Sequence, residues 1–111
     1  MGNTFKAVKG QAFNLKESIE YTDGAVVSKT LIEKDIGNVT LFAFDSGQGL
    51  SEHTAPFDAV VYILDGDAEI TIDGEPQVIV AGEMLIMPAN IAHALQAKTS
   101  FKMLLIMIRG E

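Results

Sequence analysis

The fold class this sequence predicts is an all-β domain closed on itself as a sandwich or barrel, and three observations predict it. Short runs rich in β-branched and aromatic residues recur along the chain, broken by Gly, Asp and Asn. No segment shows the sustained 3.6-residue apolar period of a long amphipathic helix. The runs follow one another at near-regular spacing, at least eight of them, which is the pattern of a barrel or sandwich; full closure removes exposed sheet edges.

Residues 1–24 are mixed and weakly periodic, and are expected to form an arm with one short strand around Gln11 to Leu15. Residues 25–111 are expected to form the barrel. Val26 to Glu33 reads as a strand ended by the turn Asp35-Ile36-Gly37-Asn38. Val39 to Phe44 is a stronger strand with alternating large side chains, closed by the Gly-rich turn Ser46 to Gly49. Ala59 to Leu64 is a continuous apolar strand ending at Asp65-Gly66. Ala68 to Ile72 alternates polar with apolar and leads to Asp73-Gly74, a pair that tolerates the positive φ of a type I′ hairpin turn. Gln77 to Val80 returns, Ala81-Gly82 turns again, and Met84 to Met87 runs up to Pro88. His93 to Ala97 and Phe101 to Ile108 complete the set.

The 111 residues suit one domain with one core, and 48% apolar content is ample to fill it. The longest apolar runs, Ala59 to Leu64 and Met103 to Ile108, are six residues each, the length of buried strands and far below a membrane span. The first residues show no apolar stretch of a secretory signal, so a cytoplasmic location is the expectation. There is no cysteine, hence neither disulfide framework nor thiol chemistry. A net charge of −7 with scattered basic residues argues against nucleic acid and against a membrane surface as partners.

The chemistry-bearing residues sit at fixed spacings. Five residues separate Gly47 from His53, and six separate Ala59 from Gly66. Five separate Gly82 from Pro88, two separate Asn90 from His93, and three separate His93 from Ala97. In register and spacing these two stretches resemble the two motifs of the small single-domain cupins (the cupin type-2 conserved barrel family), over roughly residues 30 to 108. The resemblance implies a cupin jelly-roll β-barrel, commonly a homodimer, with a pocket inside. Metal-binding members offer three histidines and one glutamate. Here the second histidine position is Ala55, the glutamate position is Ala59 and the final Asn of the second motif is Ala97. His53 and His93 are the only histidines, and both fall on motif positions.

Strand alternation tests whether other residues replace the missing ligands. If His53 points inward, so do Ala55, Ala59, Val61 and Ile63, while Glu52 and Asp58 point away. Gln48 and Gln96 offer only weak amide oxygens, and Gln96 has the opposite parity to His93. The expected pocket is therefore apolar: His53, His93, Ala55, Ala59, Val61, Ile63 and Leu95, with Phe42 and Phe44 closing one wall. The two alanines are expected to enlarge it. Met84, Met87, Met103 and Met107 read as core filler. Val60 and Tyr62 share the outward face, which points to a second subunit.

Two functional readings follow. In the first, the chain is a small-molecule-binding cupin with His53 and His93 as polar handles for a ligand. In the second, it is a metal-dependent enzyme of dioxygenase, isomerase or cyclase type that holds a divalent transition metal on His53 and His93 alone. The histidines could also act as an acid/base pair, since imidazole titrates near neutral pH. An accessory or sensor role beside another protein is a third class.

Overall fold

The computed structural model describes residues 9–109. They form nine strands: β1 (Val26–Lys34), β2 (Gly37–Phe44), β3 (Gly49–His53), β4 (Ala59–Asp65), β5 (Asp67–Ile72), β6 (Glu75–Val80), β7 (Met84–Met87), β8 (His93–Gln96) and β9 (Phe101–Ile108). All pairings are antiparallel. One sheet has the order β1-β2-β9-β4-β7 and the other β3-β8-β5-β6. The all-β expectation and almost every strand position are as the sequence predicts. β3 is an addition, for its Gly49–His53 run has no apolar alternation to announce it. Among the described residues, no helix is long and apolar enough to cross a membrane.

The inner faces of the two sheets bury one apolar core. Val61, Ile63, Phe101 and Met103 come from the first sheet, and Ala68, Ile70, Ile79 and Leu95 from the second. Phe44 and Phe101 face each other across β2 and β9 with ring centroids 4.6 Å apart, nearly parallel, and Phe42 leans on Phe44 at 5.9 Å. This stack fills the barrel where β2 ends and β9 begins.

The short strand expected around Gln11 to Leu15 does not form; that stretch is irregular and leads into a single 3₁₀ turn, Lys16–Ser18. Asn14 explains the difference, because its side-chain oxygen accepts from the Glu17 N–H at 2.9 Å and competes with strand pairing. The arm instead covers the outer face of β2. Ile19 is fully buried there with Leu41 and Ala43, flanked by Leu15, Tyr21 and Leu104. Tyr21 donates to Asp65 at 2.6 Å, and the Lys29 and Lys102 ammonium groups donate to the Ser18 and Lys16 carbonyls. Burial and the Asp65 carboxylate together push the Tyr21 phenol well above its ordinary range, so it stays a donor.

The outer face stays apolar across the sheet, and at its β1–β2 end the arm residues Gly10, Gln11 and Phe13 share a cavity with Leu31, Ile32 and Val39. Ile32, Val39, Ile106, Val60 and Ile86 are successive cross-strand partners across all five strands. Ile32, Ile86, Met84 and Tyr62 are exposed.

Tight turns make the hairpins. Asp73 and Gly74 both take positive φ (52° and 81°), as the type I′ reading requires. Gly66 has φ 73°, and a Cβ there would run into the Ser100 carbonyl oxygen. Gly82 has φ 94° with open space around it. Gly66→Ala is therefore expected to cost about 2 kcal/mol or more, and Gly82→Ala about 1 kcal/mol. Urea unfolding of both variants checks this; equal losses would contradict the role of the Ser100 contact.

Candidate functional site

The barrel is open at the end opposite the aromatic stack. There β3 and β7 finish while β4 and β8 begin, and a cavity of about 70 Å³ lies between them. Its lining is Leu50, His53, Ala55, Phe57, Ala59, Met87, His93, Leu95, Met103, Leu105 and Met107. Among the described residues, the two histidines are the only polar side chains in this lining.

His53 and His93 are direct cross-strand partners on β3 and β8. A register shift between Leu50 and His53 makes this alignment. The bulge puts one extra residue on β3, so Leu50 and His53 both face inward despite their odd separation. On the other side, Pro88-Ala89-Asn90 turns the chain into β8. Asn90 adopts φ 64°, the left-handed conformation that Asn tolerates. The turn is tied to the β3–β4 loop by two bonds: the Asn90 N–H donates to the Ala55 carbonyl at 2.7 Å, and the Ala89 N–H donates to the Asp58 carboxylate at 2.8 Å. Asp58 thus holds the loop that carries Ala55, away from the cavity, as alternation predicts.

The imidazoles meet at their tips. Nε2 of His53 lies 3.2 Å from Nε2 of His93, with the rings 72° apart in plane. At the other end of each ring, Nδ1 lies against a backbone carbonyl: Ser51 at 2.8 Å for His53 and Ile91 at 3.2 Å for His93. A carbonyl can only accept, so each Nδ1 is placed to donate to its own, while the two Nε2 atoms are in hydrogen-bond contact; a proton between them, or a ligand that both can bind, satisfies the pair. His93 is buried and His53 is exposed at the mouth. Burial lowers the His93 pKa below the usual histidine value, His53 adds to the lowering, and the Ile91 carbonyl opposes it.

Five of the nine residues expected in the pocket are brought together: His53, His93, Ala55, Ala59 and Leu95. Four are not. Phe44, Val61 and Ile63 are fully buried in the core, and Phe42 packs against the same core. Shared parity places residues on one face without placing them at one depth. Val61 and Ile63 lie about 7 and 13 Å farther along β4 than Ala59, toward the closed end. The expected enlargement is also missing. Register sets Met87 and Met107 on either side of Ala59, so thioethers occupy the room that a short side chain leaves. Sequence reasoning missed Leu50, Phe57, Met87, Met103, Leu105 and Met107. Phe57 shares parity with His53 and was legible; Leu50 was hidden by the bulge.

The donors present do not make the site that the resemblance implies for a divalent metal. Such sites keep three protein ligands, and two imidazoles remain. Asp58 is committed to Ala89, and neither Gln48 nor Gln96 lines the cavity. Among the described residues, no group of three or more His, Cys, Asp or Glu side chains could hold an ion together.

Comparison with known proteins agrees with the architecture. The cupin domain family matches over residues 40–109. The structure of a conserved protein of unknown function from Streptococcus pyogenes is similar with a TM-score of 0.90 and 35% identity, covering 100% of this chain and 97% of that one. A cupin superfamily protein from Desulfitobacterium hafniense gives 0.87 and 32%, covering 93% and 94%. A cupin 2 conserved barrel domain protein from Leptotrichia buccalis gives 0.84 and 43%, covering 87% of this chain and 47% of that one, so this chain spans about half of it. No curated protein matches. The chain belongs to the cupin domain family.

The lowered His93 pKa has a consequence for stability. Below the ordinary histidine value of about 6.5 the unfolded chain binds a proton that the folded chain resists, so stability rises with pH through this range. The melting temperature is expected to fall between about pH 7.5 and about pH 5.5, and His93→Gln is expected to flatten that slope. An unchanged slope in the variant would assign the acid sensitivity to other groups.

Proposed function

We propose that this cupin binds a small molecule at its barrel mouth, with the ligand's apolar end among the methionines and leucines and its one polar group on the His53–His93 pair. One observation carries the reading: within a cavity otherwise walled by apolar side chains, the only two polar groups converge on a single point. Binding pockets are built this way, from apolar walls for affinity and a few polar groups for orientation. At about 70 Å³ the enclosed part admits only a few heavy atoms, so a larger ligand extends past the exposed His53. The alternative, a metal-dependent enzyme on two histidines, has its two nitrogens in place and lacks the remaining donors.

A panel of short monocarboxylic acids and small phenols, titrated by isothermal calorimetry, tests the pocket. His53→Ala or His93→Ala is expected to weaken any binder by about 1–3 kcal/mol, the cost of a lost polar contact. Ala59→Phe is expected to abolish binding by filling the cavity. Affinities that ignore all three substitutions would remove the ligand from this site.

We further propose that the protein works as a homodimer joined through the outer face of the five-stranded sheet. The apolar row from Ile32 to Ile86 supports this, because its exposed ends and the half-buried Val39, Ile106 and Val60 between them gain by being covered and a two-fold pairing sets the same patch on itself. Size-exclusion chromatography with light scattering is expected to give twice the chain mass, and Ile86→Glu to give the single mass. A monomeric parent protein would refute the pairing.

A further inference from the structure

We infer that the barrel mouth is a site for a monovalent soft metal ion, copper(I), held by His53 and His93 with thioether donors from Met87 and Met107. This donor set does not match a divalent metal. The positions that would carry a third imidazole and a carboxylate are Ala55 and Ala59.

What remains is still organised for an electron-pair acceptor. Both Nδ1 atoms are held by backbone carbonyls, Ser51 at 2.8 Å and Ile91 at 3.2 Å, which is how ligating histidines are oriented so that Nε2 is free. The two Nε2 atoms stand 3.2 Å apart. An ion about 2.0–2.1 Å from each nitrogen would see them at an angle of about 100°. No hinge or rotamer change is needed to bring them together.

The third element is the methionines. Met87 on β7 and Met107 on β9 are the two cross-strand partners of Ala59, so the position without a carboxylate lies between two thioethers. Both line the same cavity as the imidazoles. Both methionines also pack with the core, and the same cavity lining sets them beside the two imidazoles. Thioether and imidazole together select copper(I), whereas oxygen donors select the harder divalent ions.

Charge points the same way. The cost of moving an ion from water into an apolar medium scales with the square of its charge, so a monovalent ion pays about a quarter of what a divalent ion of equal size pays. With no carboxylate in the lining, a divalent ion would keep its full charge uncompensated. A monovalent ion leaves only one.

The test is an anaerobic titration of the full chain with copper(I), using bicinchoninate as the coloured competitor, beside zinc(II) and nickel(II) titrations. One equivalent of copper(I) is expected to be taken from the competitor, and X-ray absorption of the loaded protein is expected to show both nitrogen and sulfur neighbours. The double variant Met87→Leu/Met107→Leu, near-isosteric and checked by its melting curve, is expected to lose copper(I) affinity by at least about tenfold while zinc(II) and nickel(II) affinities stay where they were. His53→Ala is expected to abolish stoichiometric uptake. Failure to compete with bicinchoninate, or a nitrogen-only spectrum, overturns the site, and the spectrum of the unsubstituted protein decides even if a variant fails to fold. Binding of the organic panel is measured apart from copper, so loss of one reading leaves the other standing.

Discussion

Everything at the barrel mouth depends on the pairing of β3 with β8 and on the extra residue in it. Without the shift between Leu50 and His53, alternation along β3 would turn one of the two outward. With it, Leu50 meets Leu95 and His53 meets His93 on the same inner face. The geometry is locked from behind by main chain: the Ser51 and Ile91 carbonyls hold the rings, and the Asn90–Ala55 bond holds the two loops together. A site made this way does not rely on long flexible side chains to find one another. It is a preorganised pair of imidazoles, and the cost of assembling it was met when the sheet formed.

The barrel is asymmetric along its axis for a reason visible in β9. Its inner residues run Phe101, Met103, Leu105, Met107, from a stacked aromatic at the start to a flexible thioether near the end. Aromatic packing leaves no room at the first end, and at the other a cavity of about 70 Å³ remains among Ala55, Ala59 and the methionines. The same strand is apolar outward too, with Leu104 under the arm and Ile106 in the uncovered row. A strand apolar on both faces must be covered on both. The core covers one, Ile19 and its neighbours cover half of the other, and among the described residues Ile106 beyond them is half-buried.

Much of this was legible in the sequence. Turn chemistry and strand runs gave the architecture, because Gly66, Asp73-Gly74, Gly82 and Asn90 all take the positive φ their residue types favour. That His53 and His93 line one pocket followed from the family resemblance of the motifs that carry them. What was not legible has physical causes. Asn14 diverts the arm from a strand to a turn through a local side-chain bond. Depth along a strand is invisible to parity, so Val61 and Ile63 were placed in a cavity they lie beneath. The methionines were missed because nothing in one chain's sequence says which strands will flank Ala59; that is a matter of sheet order, β7-β4-β9, which is long-range.

The loss of two ligands is more informative than an unaltered set would be. A site that had merely decayed would be expected to fill with solvent or with unrelated polar groups, and to leave the surviving imidazoles unheld. Here the pair is oriented by two backbone acceptors, the Ala59 position is flanked by methionines on both neighbouring strands, and Asp58 is engaged in holding a turn. Removing the carboxylate removes the negative charge that makes a dication tolerable in a dry cavity. On the proposed reading, a ligand is neutral or singly charged, meets the two imidazole nitrogens together, and sits against sulfur and hydrocarbon. Those three conditions exclude most hydrated divalent ions, and they follow from the residues that replaced the ligands as much as from the two that stayed.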